Sequence, residues 1–233
     1  MATPTVWNTL PHVPCTSLRN WDRFPVDVNR APRELLLRLA EIISALREID
    51  HVKIIRIHTR VPVAAPERIT PALVRAATAA GATTYVVLHA NHPRELTAAA
   101  RTACARFIDA GAPMLSQSVL LKGVNDDLDT LAALMRAFVE ARIKPYYLHH
   151  ADLAPGTGHL RTTLAEGQAL MQGLRARLSG LCQPAYVLDL PGGAGKVPVG
   201  PSYLRPEPAD GASRGYRVDD LGGRPHAYPP ADE

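Results

Sequence analysis

Hydrophobic residues in this chain recur in two alternating rhythms between about residue 32 and residue 200. Short β-branched or aromatic runs bounded by polar residues mark strands: Val52 to His58, Thr84 to His89, Met114 to Leu121, Lys144 to His149 and Ala185 to Leu190. Between them apolar residues recur three and four apart, the period of a helix with one buried face. The clearest case, Asp127 to Ala141, puts Leu128, Leu131, Leu134, Met135 and Phe138 on one side. Thr70-Pro71 offers an N-cap and a first-turn proline for a helix Ala72 to Ala80, and Thr97 caps another that runs to about Asp109, ended by Gly111. Helices Leu164 to Leu178 and Arg33 to Arg47 complete the series. Strands alternating with helices imply a parallel sheet with helices packed outside. The count falls short of a closed eight-unit barrel. The expected fold class is α/β, a partial (β/α) barrel.

The flanks break the rhythm. Residues 1–31 hold Trp7 and Trp21 among prolines without a period, and residues 201–233 collect proline, glycine and acid, which reads as a loosely packed tail. The organisation is thus an irregular segment 1–31, a barrel part 32–200 and a tail 201–233. At 233 residues and 46% hydrophobic, the chain can bury one sizeable core. No apolar run approaches the roughly 18 residues of a membrane span, and no signal peptide is visible. Its net charge of +4 comes from scattered arginines rather than a basic stripe, so neither nucleic acid nor a membrane is an expected partner. Cys15, Cys104 and Cys182 stand at unrelated spacings, which fits a reducing, cytoplasmic compartment.

In parallel α/β folds chemistry gathers where strands end. His58 and Arg60 close the first strand, His89, Asn91 and His92 the second, and Gln117 lies late in the third. His149, His150 and Asp152 close the fourth, and Asp189 precedes the turn Pro191-Gly192-Gly193-Ala194-Gly195-Lys196. Any one of these reads equally well as a loop or capping residue; together they predict one polar face. Lys196, presented by a glycine-rich backbone, can form a Schiff base with an aldehyde cofactor. The run is not a phosphate-binding P-loop, lacking the first glycine and the hydroxyl residue after the lysine.

Five blocks in order carry a resemblance. They are His51 to Pro62, His89 to Glu95, Gln117 to Asp126, Pro145 to Leu148 and Pro191 to Lys196. Over about residues 35–204 the chain resembles the lysine 2,3-aminomutase family of radical SAM enzymes. The resemblance implies a partial barrel of the radical SAM type with pyridoxal phosphate, S-adenosylmethionine and a 4Fe–4S cluster, acting on L-lysine. Lys196 then matches the Schiff-base lysine, with Gly192 and Gly193 allowing close approach of the cofactor. Asp152 and Asp189 match the carboxylates that hold the substrate ε-ammonium. Gln117, His89, Asn91 and Arg56 or Arg60 match positions expected around S-adenosylmethionine and the phosphate. Tyr146 and Tyr147, neighbours on a strand, are expected to point one to the core and one to the pocket.

The family's Cys-x-x-x-Cys-x-x-Cys run and its Gly-Gly-Asp-Pro loop are absent from these residues. The expectation is therefore a barrel without its N-terminal units, inactive alone, with an unpaired sheet edge that favours self-association into a homo-oligomer. Three alternatives stand beside it: an aminomutase acting on a lysine of elongation factor P, a non-catalytic pyridoxal phosphate-binding remnant, and a metal-dependent hydrolase using His58, His89, His92, His149 and Asp152.

Overall fold

The computed structural model describes residues 40–79, 83–206 and 215–229. The first described element is a helix over 40–47 (α1), so the start expected at Arg33 lies outside the described residues, as do residues 1–31. Then follow β1 (Ile54–Thr59), the short α2 (Val61–Ala64), α3 (Pro71–Thr78), β2 (Thr83–His89) and α4 (Ala98–Asp109). Next come β3 (Met114–Leu120), α5 (Leu128–Glu140), β4 (Ile143–His150), α6 (Leu164–Arg177) and β5 (Ala185–Leu190). The caps expected at Thr70 and Thr97 form, and Asp127, read as the first helical residue, proves to be a cap. Thr70 accepts from the backbone N–H of Leu73, Thr97 from that of Ala100 and Asp127 from that of Thr130. Thr163 and Glu166 form a reciprocal capping box on α6.

Strands β1 to β5 are parallel and lie side by side in chain order. Crossovers of one hand that always advance in the same direction place the helices on one face and curl the sheet into an open half-barrel. The outer face of the sheet and the helices share the core: Val86, Leu88, Met114, Leu120 and Leu148 meet Leu131, Leu134, Met135 and Phe138. Along β3 burial alternates strictly, so Leu115, Gln117 and Val119 lie on the concave face. At Gly167 the helix α6 touches the sheet with no room for a side chain, since a Cβ there would come 2.0 Å from the Tyr186 hydroxyl.

Two expectations need correcting. Lys196 does not sit on a turn. The turn closes at Pro191–Gly193, and Gly195–Pro198 forms a sixth strand, β6, antiparallel to β5. Val197 and Val199 carried the missed signal, a β-branched return after a glycine turn. Secondly, Tyr146 and Tyr147 do not point to opposite faces. Between Ser116/Gln117 and Pro145/Tyr147 the register slips by one residue. Pro145 donates no backbone hydrogen bond, the ladder bulges, and both rings come together at 3.8 Å with their hydroxyls bonded at 3.0 Å. Within the tail, read as loosely packed, short strands form. Leu204–Pro206, Tyr216–Asp219 and Pro225–Tyr228 (β7 to β9) form an antiparallel meander, its last turn tied by the Asp220 carboxylate to the backbone of Gly222 and Arg224. Among the described residues, no helix is long and apolar enough to cross a membrane.

Candidate functional site

The concave face opens into a cleft of about 1090 Å³ at the carboxyl ends of the parallel strands. Period-two alternation supplies its wall: Arg56 and His58 from β1, His89 from β2, Gln117 and Val119 from β3, Tyr147 and His149 from β4, Asp189 from β5. His150, Asp152, Gly193, Gly195 and Lys196 complete it. In-register pairing sets these side chains beside one another, His89 next to Gln117, Gln117 next to Tyr147, and Val119 next to His149.

The β5–β6 hairpin builds the most polar corner. Asp189 and Lys196 are cross-strand partners, and the Lys196 Nζ donates to both carboxylate oxygens at 2.5 Å. His149 brings its Nδ1 to 3.1 Å from Asp189 Oδ2 and 3.2 Å from Lys196 Nζ. Lys196 also stands 5.5 Å from the Tyr147 ring centre. Burial pushes the Asp189 carboxyl up, but its bonds to Lys196 and His149 together outweigh that and hold it below the ordinary value. On the opposite wall His58 Nδ1 donates to Gln117 Oε1 at 3.1 Å, while between β4 and β5 His150 Nδ1 pairs with the Tyr186 hydroxyl at 2.7 Å.

Not every expected residue reaches the cleft. Arg60 turns away to Glu95 at 2.7 Å, and Glu95 also accepts the backbone N–H groups of Asn91 and His92. Asn91 is buried and takes the backbone N–H of Val119 on its Oδ1. Both stabilise the loops after β1 and β2. Gly192 lies within the turn Pro191–Gly193, with φ of 75°, and is not among the cleft-lining residues. His89, Gln117, Gly193, Asp152, Asp189 and Lys196 do line the cleft. The sequence reading missed Asn125, fully buried below the site. It also missed the partnership of His149 with Lys196, which only the hairpin creates.

Desolvation is the largest cause holding His58, His89, His149 and His150 below the ordinary histidine value. All four are neutral at pH 7, and the cleft's charge rests on Arg56 and Lys196 against Asp152 and Asp189. Because each histidine binds a proton more readily in the unfolded chain, its contribution to stability is intact above about pH 6.5, the unfolded value. That contribution is lost as the pH falls through the lower folded values. Thermal melts followed by circular dichroism should show Tm dropping by several degrees between pH 7.5 and pH 5. A flat profile would contradict the burial of these rings.

The donor set fits some cofactors and not others. A primary amine on the wall, an arginine facing it and three positive-φ glycines around the hairpin turn, with open space beside them, suit an aldehyde-bearing phosphate ester. An iron–sulfur cluster does not fit the described residues. Cys104 is buried on α4, where desolvation raises its thiol to about 12, and Cys182 lies in a separate turn after α6. Among the described residues no three His, Cys, Asp or Glu side chains are placed to share a metal ion. Of the side chains expected around S-adenosylmethionine, His89 and Gln117 face the cleft, while Asn91 and Arg60 do not.

No family model matches the chain. Among curated proteins it is 45% identical over 167 residues to an L-lysine 2,3-aminomutase of Acetoanaerobium sticklandii, covering 72% of this chain and 40% of that protein. A protein of the same name from Clostridium subterminale is 45% identical over 166 residues, covering 71% and 40%. A glutamate 2,3-aminomutase of Clostridioides difficile is 37% identical over 163 residues, covering 70% and 38%. The chain thus spans about 40% of the length of the first two. Among solved structures, a radical SAM methyltransferase from Sphaerobacter thermophilus aligns at a TM-score of 0.41 and 17% identity, over 52% of this chain and 38% of that one.

Proposed function

We propose, from the premise that the matched part of this chain belongs to the lysine 2,3-aminomutase family, that its cleft forms the amine-holding side of an aminomutase site. The reaction would move the α-amino nitrogen of L-lysine to C3, with pyridoxal phosphate held at Lys196. One observation carries the reading: among the described residues Lys196 is the one lysine on the cleft wall, it is paired to Asp189, and Asp152 lines the same cleft. The resemblance matches that lysine to the family's Schiff-base position. When bound, pyridoxal phosphate supplies an aldehyde that links to amines and a conjugated ring that spreads charge or an unpaired electron. Asp189 fixes the Lys196 Nζ in place, and Arg56 offers the cleft's other cation to the phosphate.

Substrate choice follows from charge. With the four histidines neutral and Asp189 paired to Lys196, Asp152 is the carboxylate left to face a ligand. It attracts a side-chain ammonium and repels the side-chain carboxylate of glutamate. Free L-lysine is therefore favoured over L-glutamate, and the same argument accommodates a lysine of elongation factor P.

Borohydride reduction after pyridoxal phosphate treatment tests the reading. The label should sit on Lys196. L-Lysine added before reduction should release it at a concentration at least about tenfold below that needed for norleucine or L-glutamate, a preference near 1.4 kcal/mol. Asp152→Asn should erase that preference. Equal release by all three amino acids would remove L-lysine as the substrate, and release only by a lysine-bearing protein would move the reading to elongation factor P. Label without amino-acid release would leave a cofactor-binding protein that is not an enzyme.

A further inference from the structure

One ring nitrogen in the cleft has two neighbours that ask opposite things of it. His149 Nδ1 lies 3.2 Å from Lys196 Nζ, a donor, and 3.1 Å from Asp189 Oδ2, an acceptor. With a lone pair on Nδ1 the ring accepts from Lys196. With a proton there it donates to Asp189. The two bonds need opposite protonation states of a single atom, and no heavy atom has to move between them.

We propose that His149 takes the proton that the Lys196 ammonium must lose before its nitrogen can attack an aldehyde, and that Asp189 receives the protonated ring. This rests on the cofactor reading above. In the step the Nζ–H bond of Lys196 breaks and an Nδ1–H bond forms on His149. The electron pair stays on Nζ, free for the aldehyde carbon, and the charge moves from lysine to imidazole beside the carboxylate.

The surroundings suit a brief stay for that proton. His149 is 9% exposed, and its other nitrogen, Nε2, is buried without a partner among the described residues. No bond at Nε2 locks the tautomer, so the Nδ1 neighbours decide it. The neutral ring that accepts at Nδ1 already carries its proton on Nε2, so a second proton adds a charge to a largely buried ring, and that desolvation cost keeps the neutral ring as the resting form. Titratable and charged groups face it from several elements: Asp189 on β5, Lys196 on β6, Asp152 after β4 and His89 on β2. The Tyr147 ring of β4 meets it edge-on at 5.6 Å. Burial and the lysine charge hold the His149 pKa below its ordinary value, with Asp189 and Asp152 opposing them. That makes the ring a poor resting base and a good carrier.

The test is the rate at which Lys196 is labelled by pyridoxal phosphate and borohydride, followed by mass spectrometry across pH. His149→Gln keeps a polar side chain of similar reach but cannot carry the proton at neutral pH. It should slow labelling at pH 7 by roughly a hundredfold and move the rise in rate from the histidine range toward the lysine range. Equal rates and an unmoved pH profile would overturn the proposal. A second measurement needs no change at His149. In histidine-labelled protein, Lys196→Met should raise the His149 titration midpoint seen by NMR, because a neighbouring cation is gone. An unchanged midpoint would overturn the couple. Absence of label in the parent protein would instead overturn the cofactor reading, and the NMR titration would still test whether the Lys196 charge acts on the His149 ring, as the proposal requires.

Discussion

Replacing Lys196 with alanine is expected to abolish borohydride-stable attachment of pyridoxal phosphate, and with it any chemistry that depends on the bound aldehyde. The chain has only four lysines, Lys53, Lys122, Lys144 and Lys196, which makes the assignment clean. Lys144 gives its ammonium to the backbone carbonyls of Leu181 and Gln183, and of the four only Lys196 lines the cleft. The fold should barely notice. The Lys196–Asp189 pair is half-exposed, with side chains 30% and 42% accessible, and such pairs contribute about 1 kcal/mol or less. Lys196→Arg sharpens the test. It keeps the charge beside Asp189 but offers no amine that deprotonates in a protein, so it should lose the label as completely as alanine does. Peptide mapping by mass spectrometry reads the result. Persistent label in either variant, on Lys53, Lys122 or Lys144, would sink the assignment.

Asn125→Ala should produce the largest loss of stability among polar substitutions below the cleft. Asn125 has 0% exposure and makes three hydrogen bonds. Its Oδ1 accepts the backbone N–H of Leu121 at 2.7 Å, and its Nδ2 donates to the carbonyls of Asn91 at 2.8 Å and Val119 at 2.9 Å. Alanine removes the side-chain partner of three backbone groups, one buried and two part-buried. At about 1 to 3 kcal/mol for each stranded group, a total of about 4 kcal/mol is expected. A chain of this size would lose roughly 10 °C in Tm. Asn125→Asp should be no better, because it keeps the acceptor for Leu121 and turns a carboxylate oxygen toward two carbonyls. The effect reaches function as well. Asn91 and Val119 fix the ends of β2 and β3, which carry His89 and Gln117 into the cleft. A thermal melt of either variant within about 3 °C of the parent protein would show that the knot is not what holds those strand ends.

Much of this arrangement was legible along the chain. Threonine and aspartate caps, a proline in a first turn and apolar residues at helical spacing act over one or two turns, so Thr70, Thr97, Asp127 and Leu131 to Phe138 announce their helices locally. The β-branched strands and their parallel arrangement follow from the same short-range rules together with the alternation of strand and helix. So does the gathering of histidine, aspartate and lysine at one end of the sheet. The blocks that resemble lysine 2,3-aminomutases are equally a property of sequence.

Other features depend on partners distant in the chain. Arg60 and Asn91 read as cleft residues, yet Glu95 and the Val119 backbone claim them: Arg60 pairs with Glu95 at the surface, and the buried Asn91 amide goes to a backbone group that satisfies it. Tyr146 leaves the expected alternation because Pro145 cannot complete the ladder with β3. Above all, Asp189, Lys196 and His149 meet only when β6 folds back on β5 and β4 lies alongside, joining residues that are 7 and 47 positions apart. The sequence by itself determined the elements, their order and the face on which the chemistry gathers, because short-range periodicity and capping encode them. Tertiary structure alone decided which amine, carboxylate and imidazole share a proton, because that depends on strand register over distances of a few ångströms.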